Sequence, residues 1–167
     1  MTTKTTKTIK TKAVNTVNTV KLNPRADQAS PGATTLSDDQ MQALAQSFHD
    51  IAVEVGQVRL DAIAAGSALT DPRIVHLQGY VFSLMNVAAG LALQDANLTL
   101  DNADQAVNQI SLATKAADKA LDKLKDIDKA VNIASSVIVL AAAITTKDPG
   151  QIISAAKGIF TASGFSL

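Results

Sequence analysis

The side chains best suited to acid–base or metal chemistry are the two histidines, and neither has the neighbours that such chemistry needs. His49 is followed by Asp50 and, at five residues, by Glu54, so neither acid lies at the four-residue spacing from His49 that a helical zinc site uses. His76 stands alone in an apolar stretch. We interpret both as surface or interface residues, with His76 as a pH-sensitive group if it is buried. A metal site would need donors from several helices.

Other catalytic patterns are missing from the sequence. The glycines never cluster as a phosphate-binding loop requires, and no serine lies in a nucleophile elbow supported by a histidine and an acid. The chain has no cysteine, which excludes thiol nucleophiles, disulfides and cysteine-ligated metals. We predict a protein that is not an enzyme, has no cofactor and takes no small-molecule substrate.

Basic residues are concentrated at the N-terminus. Residues 1–26, the basic tail, carry six basic side chains and no acid, so a net charge of zero leaves −6 on residues 27–167. A solubilising disordered tail is the interpretation we favour over binding to a polyanion. Nucleic acid is not an expected partner, because no aromatic side chain is interleaved to stack on bases. The tail lysines are Lys4, Lys7, Lys10, Lys12 and Lys21.

The same tail has two further implications. Its apolar residues among threonines, from Ile9 to Leu22, suit an extended segment that lies along a partner subunit. It has no apolar run of the length that a classical signal peptide needs, so we expect cytoplasmic localisation at synthesis, with membrane association or later release as alternatives.

The remaining composition predicts an all-α protein of long heptad-patterned helices, as a bundle or coiled-coil assembly unit. Alanine and leucine dominate, and aromatic residues make up only 3% of the chain. Residues 1–35 are predicted to be a disordered tail and linker, and residues 36–167 a helical domain. Ser37 with Gln40 forms a capping box, and Asp71 with Pro72 starts the second helix. The predicted helices span about 37–66, 71–96, 99–146 and 149–163.

Apolar residues spaced alternately three and four apart follow each of the long helices. The third helix would reach about 70 Å as one rod, although a fold near Asp128 stays open. The second helix, with few titratable side chains, is expected to be the most buried. We predict a self-association seam made of Met41, Leu44, Phe48, Ile51, Val55, Val58, Ile74, Leu77, Val81, Leu84, Leu91, Ile110, Leu124, Ile127, Val131 and Ile138.

The C-terminal region is almost free of charge. Residues 130–146 contain no charged side chain, and residues 147–150 form a turn before a second apolar helix. Seventeen residues lie at the lower limit for crossing a bilayer of about 30 Å. We favour a buried core or subunit interface, with regulated membrane insertion as the alternative. The residues of this hairpin are Val137, Ile138, Val139, Leu140, Ile144, Ile152, Ile153, Ile159, Phe160 and Phe165.

One stretch, LMNVAAGLALQDANLTLDNADQAVNQISLATKAA at residues 84–117, resembles the repeat region of R-body (RebB-like) proteins. The matching features are Leu84, the Ala88–Ala89 pair, Asn102, Gln105, Asn108 and the Ala113–Thr114 step. The family's glycine after that step is absent, and the hairpin has no counterpart. The resemblance implies a bacterial cytosolic protein that polymerises into coiled ribbons able to rupture membranes.

Two functions follow as expectations. The first is a non-enzymatic, self-assembling structural protein that forms homo-oligomers. The second is a membrane-inserting, pore-forming or toxin-like protein that acts through residues 130–167. A helical protein-binding module or scaffold is a further alternative.

Overall fold

The computed structural model describes residues 33–93, 99–101 and 103–165. Within these ranges the chain is all-helical apart from one short β-ribbon, so the predicted all-α class is confirmed. The ribbon pairs β1 with β2 antiparallel, Ala33 opposite Asp101. The basic tail lies outside the described residues. The elements are β1 (Ala33–Thr35), α1 (Asp38–Ala64), α2 (Pro72–Leu93), β2 (Thr99–Asp101), α3 (Ala103–Leu121), α4 (Ile127–Thr146) and α5 (Pro149–Ser163).

The start of α1 follows from its sequence. The Ser37 hydroxyl accepts a hydrogen bond from the Gln40 amide at 3.2 Å, and the Gln40 side chain accepts one from the Ser37 amide at 2.9 Å. This reciprocal pair satisfies two amides that the first turn leaves without a helical partner. The predicted capping box is therefore confirmed.

The helix predicted over 99–146 is wrong in two respects. Residues 99–101 form β2, and the remainder divides into α3 and α4 around a break at residues 122–126. Lys123 adopts φ +59°, outside the helical region, and Asp126 caps α4 by accepting a hydrogen bond from the Lys129 amide at 3.1 Å. Folding back lets the apolar α4 pack on the other helices, whereas a single rod would leave it in solvent.

The break also changes which face of α4 is buried. The predicted seam positions Leu124, Ile127, Val131 and Ile138 are only partly buried. The core is formed instead by positions one residue away, because the interruption resets the helical phase. The large buried side chains of α4 are Ile133, Val137, Leu140 and Ile144.

The five helices form a closed ring in the order α1, α2, α4, α5, α3, and α4 also contacts α1 and α3. Arg73 at the start of α2 contacts Asp128 at the start of α4 at 3.2 Å, so these two helices run parallel. Short turns reverse the chain from α1 to α2 and from α4 to α5. Helices α1, α3 and α5 therefore run in one direction, and α2 and α4 run in the other.

The expectation that α2 is the most buried helix is wrong. Its side chains Ile74, Leu77, Leu84, Ala88 and Leu91 are buried, but its opposite face is exposed. The two neighbours of α2 in the ring, α1 and α4, cover only the side that faces them. More core residues come from α4, eight of which are buried, than from α2 with five.

Candidate self-association surface

The outward face of α2 carries a second apolar seam, opposite its buried one. Its residues are spaced alternately four and three apart, which keeps them on one stripe of a helix. Val75, Phe82 and Leu93 are 54%, 62% and 84% exposed, and the other residues of this seam are exposed as well. We call this face the outer α2 stripe: Val75, Gly79, Phe82, Asn86, Ala89 and Leu93.

No charged side chain interrupts this surface. Between Ile74 and Leu93 the helix has no Asp, Glu, Lys or Arg, and its polar groups are small amides and hydroxyls together with His76 and Tyr80. The rings of His76 and Tyr80 lie 6.4 Å apart, and Tyr80 packs against the core. A helix that is apolar on every side normally has neighbours on every side. On α2 the outer side has none among the described residues.

An ion-pair network holds the start of α2 in place. The Arg73 guanidinium contacts the Asp71 carboxylate at 2.7 Å and the Asp128 carboxylate at 3.2 Å. Hydrogen bonds from the Arg73 side chain and amide lower the pKa of Asp71 to about 2, and Asp71 in turn raises the pKa of Arg73. The network links the N-termini of α2 and α4 at the surface of the bundle.

Two shallow grooves flank the outer α2 stripe. One lies between α1 and α2, where His49 faces Met85, Ala88 and Ala92. The other lies between α2 and α4, where Gly90 and Leu91 face Ala141 and Ile144. Most of the lining is small and apolar, so side chains from a second helix can enter on either side of the stripe.

Most of the predicted self-association seam is buried inside a single copy of the chain. The α1 residues from Met41 to Val58 pack on the other helices, as do Ile74, Leu77, Leu84, Leu91 and Ile110. Val81 is partly buried. These residues form the core of the bundle, so an interface in the folded protein must use other positions.

The predicted hairpin is also largely internal. Val137, Leu140, Ile144, Ile152, Ile159 and Phe160 are buried, and Ile138 and Ile153 are partly buried. Val139 is 56% exposed and Phe165 is 39% exposed. The hairpin therefore contributes to the core mainly through one face of each helix. The basic-tail lysines lie outside the described residues.

The histidines meet no metal-binding partners in the part of the chain that the structure describes. His49 Nδ1 lies 3.6 Å from an Asp50 oxygen, and both side chains are about half exposed. His76 is exposed on α2. No group of three His, Cys, Asp or Glu residues with metal-ligand geometry occurs among the described residues.

In the part of the chain that the structure describes, two helices, α2 and α4, are long and apolar enough to cross a membrane, judged by length and composition alone. In α2 only 28% of the apolar window is buried within the bundle, compared with 44% in α4.

None of the predicted seam residues belongs to the outer α2 stripe, and Ala89 was named only for the family resemblance. The repeated four–three spacing from Val75 to Leu93 was the available signal for a separate seam.

No family model, no curated protein and no solved structure matches this chain.

Proposed function

We propose that this protein is a non-enzymatic, self-assembling helical subunit whose copies associate through the outer α2 stripe. The observation that carries the proposal is the exposure of Val75, Phe82 and Leu93 on a helix that has no charged residue between Ile74 and Leu93. Covering apolar surface is favourable by about 25 cal/mol per Å². A second α2 helix offers a matching stripe with the same spacing.

The centre of the stripe adds a reason to favour another copy. Asn86 is the one polar side chain of the stripe, and its amide can donate and accept hydrogen bonds. Its neighbours along the stripe are Phe82 and Ala89. A single asparagine in an apolar seam fixes the register and number of associating helices, because it must find a polar partner. Two copies of the same stripe place asparagine opposite asparagine. The small residues Gly79 and Ala89 allow close approach of the helices.

The test is the mass of the full-length protein in solution, measured by light scattering after size-exclusion chromatography over a range of concentrations. We expect the wild type to form oligomers and the Phe82→Glu/Leu93→Glu variant to run as a monomer. The matched control is Val53→Glu/Leu112→Glu, which places the same charges on exposed apolar positions of α1 and α3. It should assemble like the wild type. A monomeric wild type at all concentrations contradicts the proposal.

Membrane insertion is a second candidate, supported by the length and apolar composition of α2 and α4. Of the C-terminal hairpin only α4 has the required length. At about 1.5 Å per residue α5 covers about 22 Å, short of a hydrocarbon core of about 30 Å. The candidate is tested by leakage from anionic liposomes with Val139→Asp, which charges an exposed position of α4. Leakage that survives this substitution excludes insertion through α4.

The resemblance of residues 84–117 to R-body proteins supports the same class of function. That stretch contains Asn86, Ala89 and Leu93 of the outer α2 stripe. If the resemblance is correct, the assemblies are extended polymers in a bacterial cytoplasm, and electron microscopy of the oligomer fraction should show ribbons. Closed particles of uniform size would instead favour a small oligomer or a scaffold.

A further inference from the structure

A groove between α1 and α3 is open on the surface of the bundle. It is separate from the outer α2 stripe. Its lining is mostly apolar, and its floor includes the buried side chains Leu44 and Ile110. We call it the α1–α3 groove. Its lining residues used below are Leu36, Ala43, Leu44, Val107, Ile110 and Thr114.

The same two helices carry an acidic group farther along. Asp118 follows Val107 by eleven residues on α3, which is about 16 Å along the helix axis. Asp122 is on the same side of the bundle, and Asp50 and Glu54 approach from α1. Among the described residues, no ion pair involves Glu54, Asp118 or Asp122. The groove and the acidic group thus follow one another along α1 and α3, and we call them the apolar end and the acidic end of this surface.

The crowding of these carboxylates is unfavourable. Burial raises the pKa of Glu54, and the charges of Asp118, Asp122 and Asp50 raise it further. Burial and the charges of Asp50 and Asp122 likewise raise the pKa of Asp118. Positive charge brought to the acidic end would relieve the repulsion.

The described part of the chain begins at Ala33, close to the apolar end. Strand β1 lies against α3, and Leu36, directly after it, lines the groove. Lys21 precedes Ala33 by twelve residues. In extended form they span up to about 40 Å, so tail residues can reach both ends. Residues 1–26 carry six positive charges and no negative one.

We propose that the basic tail binds in the α1–α3 groove of its own chain, with apolar residues of the segment 14–22 at the apolar end and lysines at the acidic end. The positive charge of the basic tail complements the acidic end. The tail is joined to the bundle close to the apolar end, and this short tether gives the chain's own tail a high effective concentration at the groove. The proposal does not depend on self-association through α2.

The experiment uses the full-length chain, whose lack of cysteine makes a single labelling site simple to install. A nitroxide is attached at Thr19→Cys, and the loss of backbone amide signals is measured by NMR. We expect selective loss at Leu44, Ile110 and Thr114 in the groove. Amides of Ser136 and Ala142, on α4 across the ring, should keep their signals. Equal loss at both places overturns the proposal.

Charge reversal makes the test specific. Lys10→Glu/Lys12→Glu/Lys21→Glu alters none of the residues that form the hydrophobic core, and it should abolish the selective loss. Combining it with Glu54→Lys/Asp118→Lys should restore the loss. The control Asp39→Lys/Asp61→Lys reverses two exposed α1 charges outside the acidic group. Introduced alone, it should leave the selective loss of groove signals unchanged. Selective loss that persists after the tail reversal overturns the proposal.

A mixing experiment separates the chain's own tail from that of a neighbour. Spin-labelled protein without ¹⁵N is mixed with ¹⁵N protein without the label. Groove signals that remain intact in this mixture support binding within one chain. Losses equal to those of the directly labelled protein would overturn it in favour of tail exchange between copies.

Discussion

Asp126 is the single residue that most clearly decides where α4 begins. Its carboxylate accepts the hydrogen bond of the Lys129 amide at 3.1 Å, which the first turn would otherwise leave unpaired. We expect Asp126→Ala to lower the free energy of unfolding by about 1 kcal/mol, the usual loss for a helix N-cap. Urea unfolding measures this loss. Lys125→Ala, at an exposed position of the same loop, should change the free energy of unfolding by no more than about 0.5 kcal/mol. Equal losses in the two variants would contradict the capping role.

Asp148 caps α5 and makes stability depend on pH. It accepts hydrogen bonds from the Gln151 and Gly150 amides and from the Gln151 side chain, and these lower its pKa below the usual 3.8. Because the folded pKa is depressed, the stabilisation is present above about pH 3.8 and is lost as the pH falls through the folded value.

The asparagine variant tests this assignment. Asn also caps helices but does not titrate. When the pH is lowered below 3.8, the melting temperature of Asp148→Asn should therefore fall less than that of the wild type. Circular dichroism measures both melting temperatures. Parallel losses in the two proteins would show that Asp148 contributes no acid sensitivity.

At the scale of the elements, α4 ends at a residue whose backbone suits glycine better than lysine. Lys147 has φ +58° and donates its amide to the Ile144 carbonyl, which is a left-handed helix termination. We expect Lys147→Gly to raise the free energy of unfolding by up to about 1 kcal/mol. Lys157→Gly, in the interior of α5, should lower it by about 1 kcal/mol. Destabilisation by both variants would argue against strain at Lys147.

The outer α2 stripe makes a second prediction for an element. If Asn86 sets the register between paired α2 helices, Asn86→Leu should give tighter association and less uniform particles. Light scattering should then show oligomers persisting at lower concentration and with a wider range of masses. Weaker association of the leucine variant would mean that Asn86 contributes an essential hydrogen bond instead.

Prediction from sequence worked where the signal was local. The capping box of Ser37 and the Asp71–Pro72 start needed only neighbouring residues, and α1 and α2 were located to within a few residues. A break near Asp128 was left open and the helix was drawn as one over 99–146, because the three–four rhythm continues through residues 122–126. That break depends on where α4 finds apolar neighbours, which is a property of the packed bundle.

At the scale of the whole molecule, the ring of helices accounts for most of the apolar residues that sequence reasoning assigned to association. The seam of α1 and the inner face of the C-terminal hairpin pack within one chain. The outer α2 stripe lies on the ring's exterior, where α1 and α4 leave it uncovered. Periodicity alone does not tell which of two seams on α2 faces inward, since that depends on the order of helices in the ring.

The most direct test of self-association through α2 is the concentration dependence of thiol labelling at single introduced cysteines. Ala89→Cys lies in the outer α2 stripe, and Ala142→Cys lies at an exposed position of α4. We predict that the maleimide labelling rate of Ala89→Cys falls as protein concentration rises through the assembly range, while that of Ala142→Cys stays constant. A rate at Ala89→Cys that is independent of concentration, in protein that does form oligomers, would place the interface elsewhere and contradict the proposal.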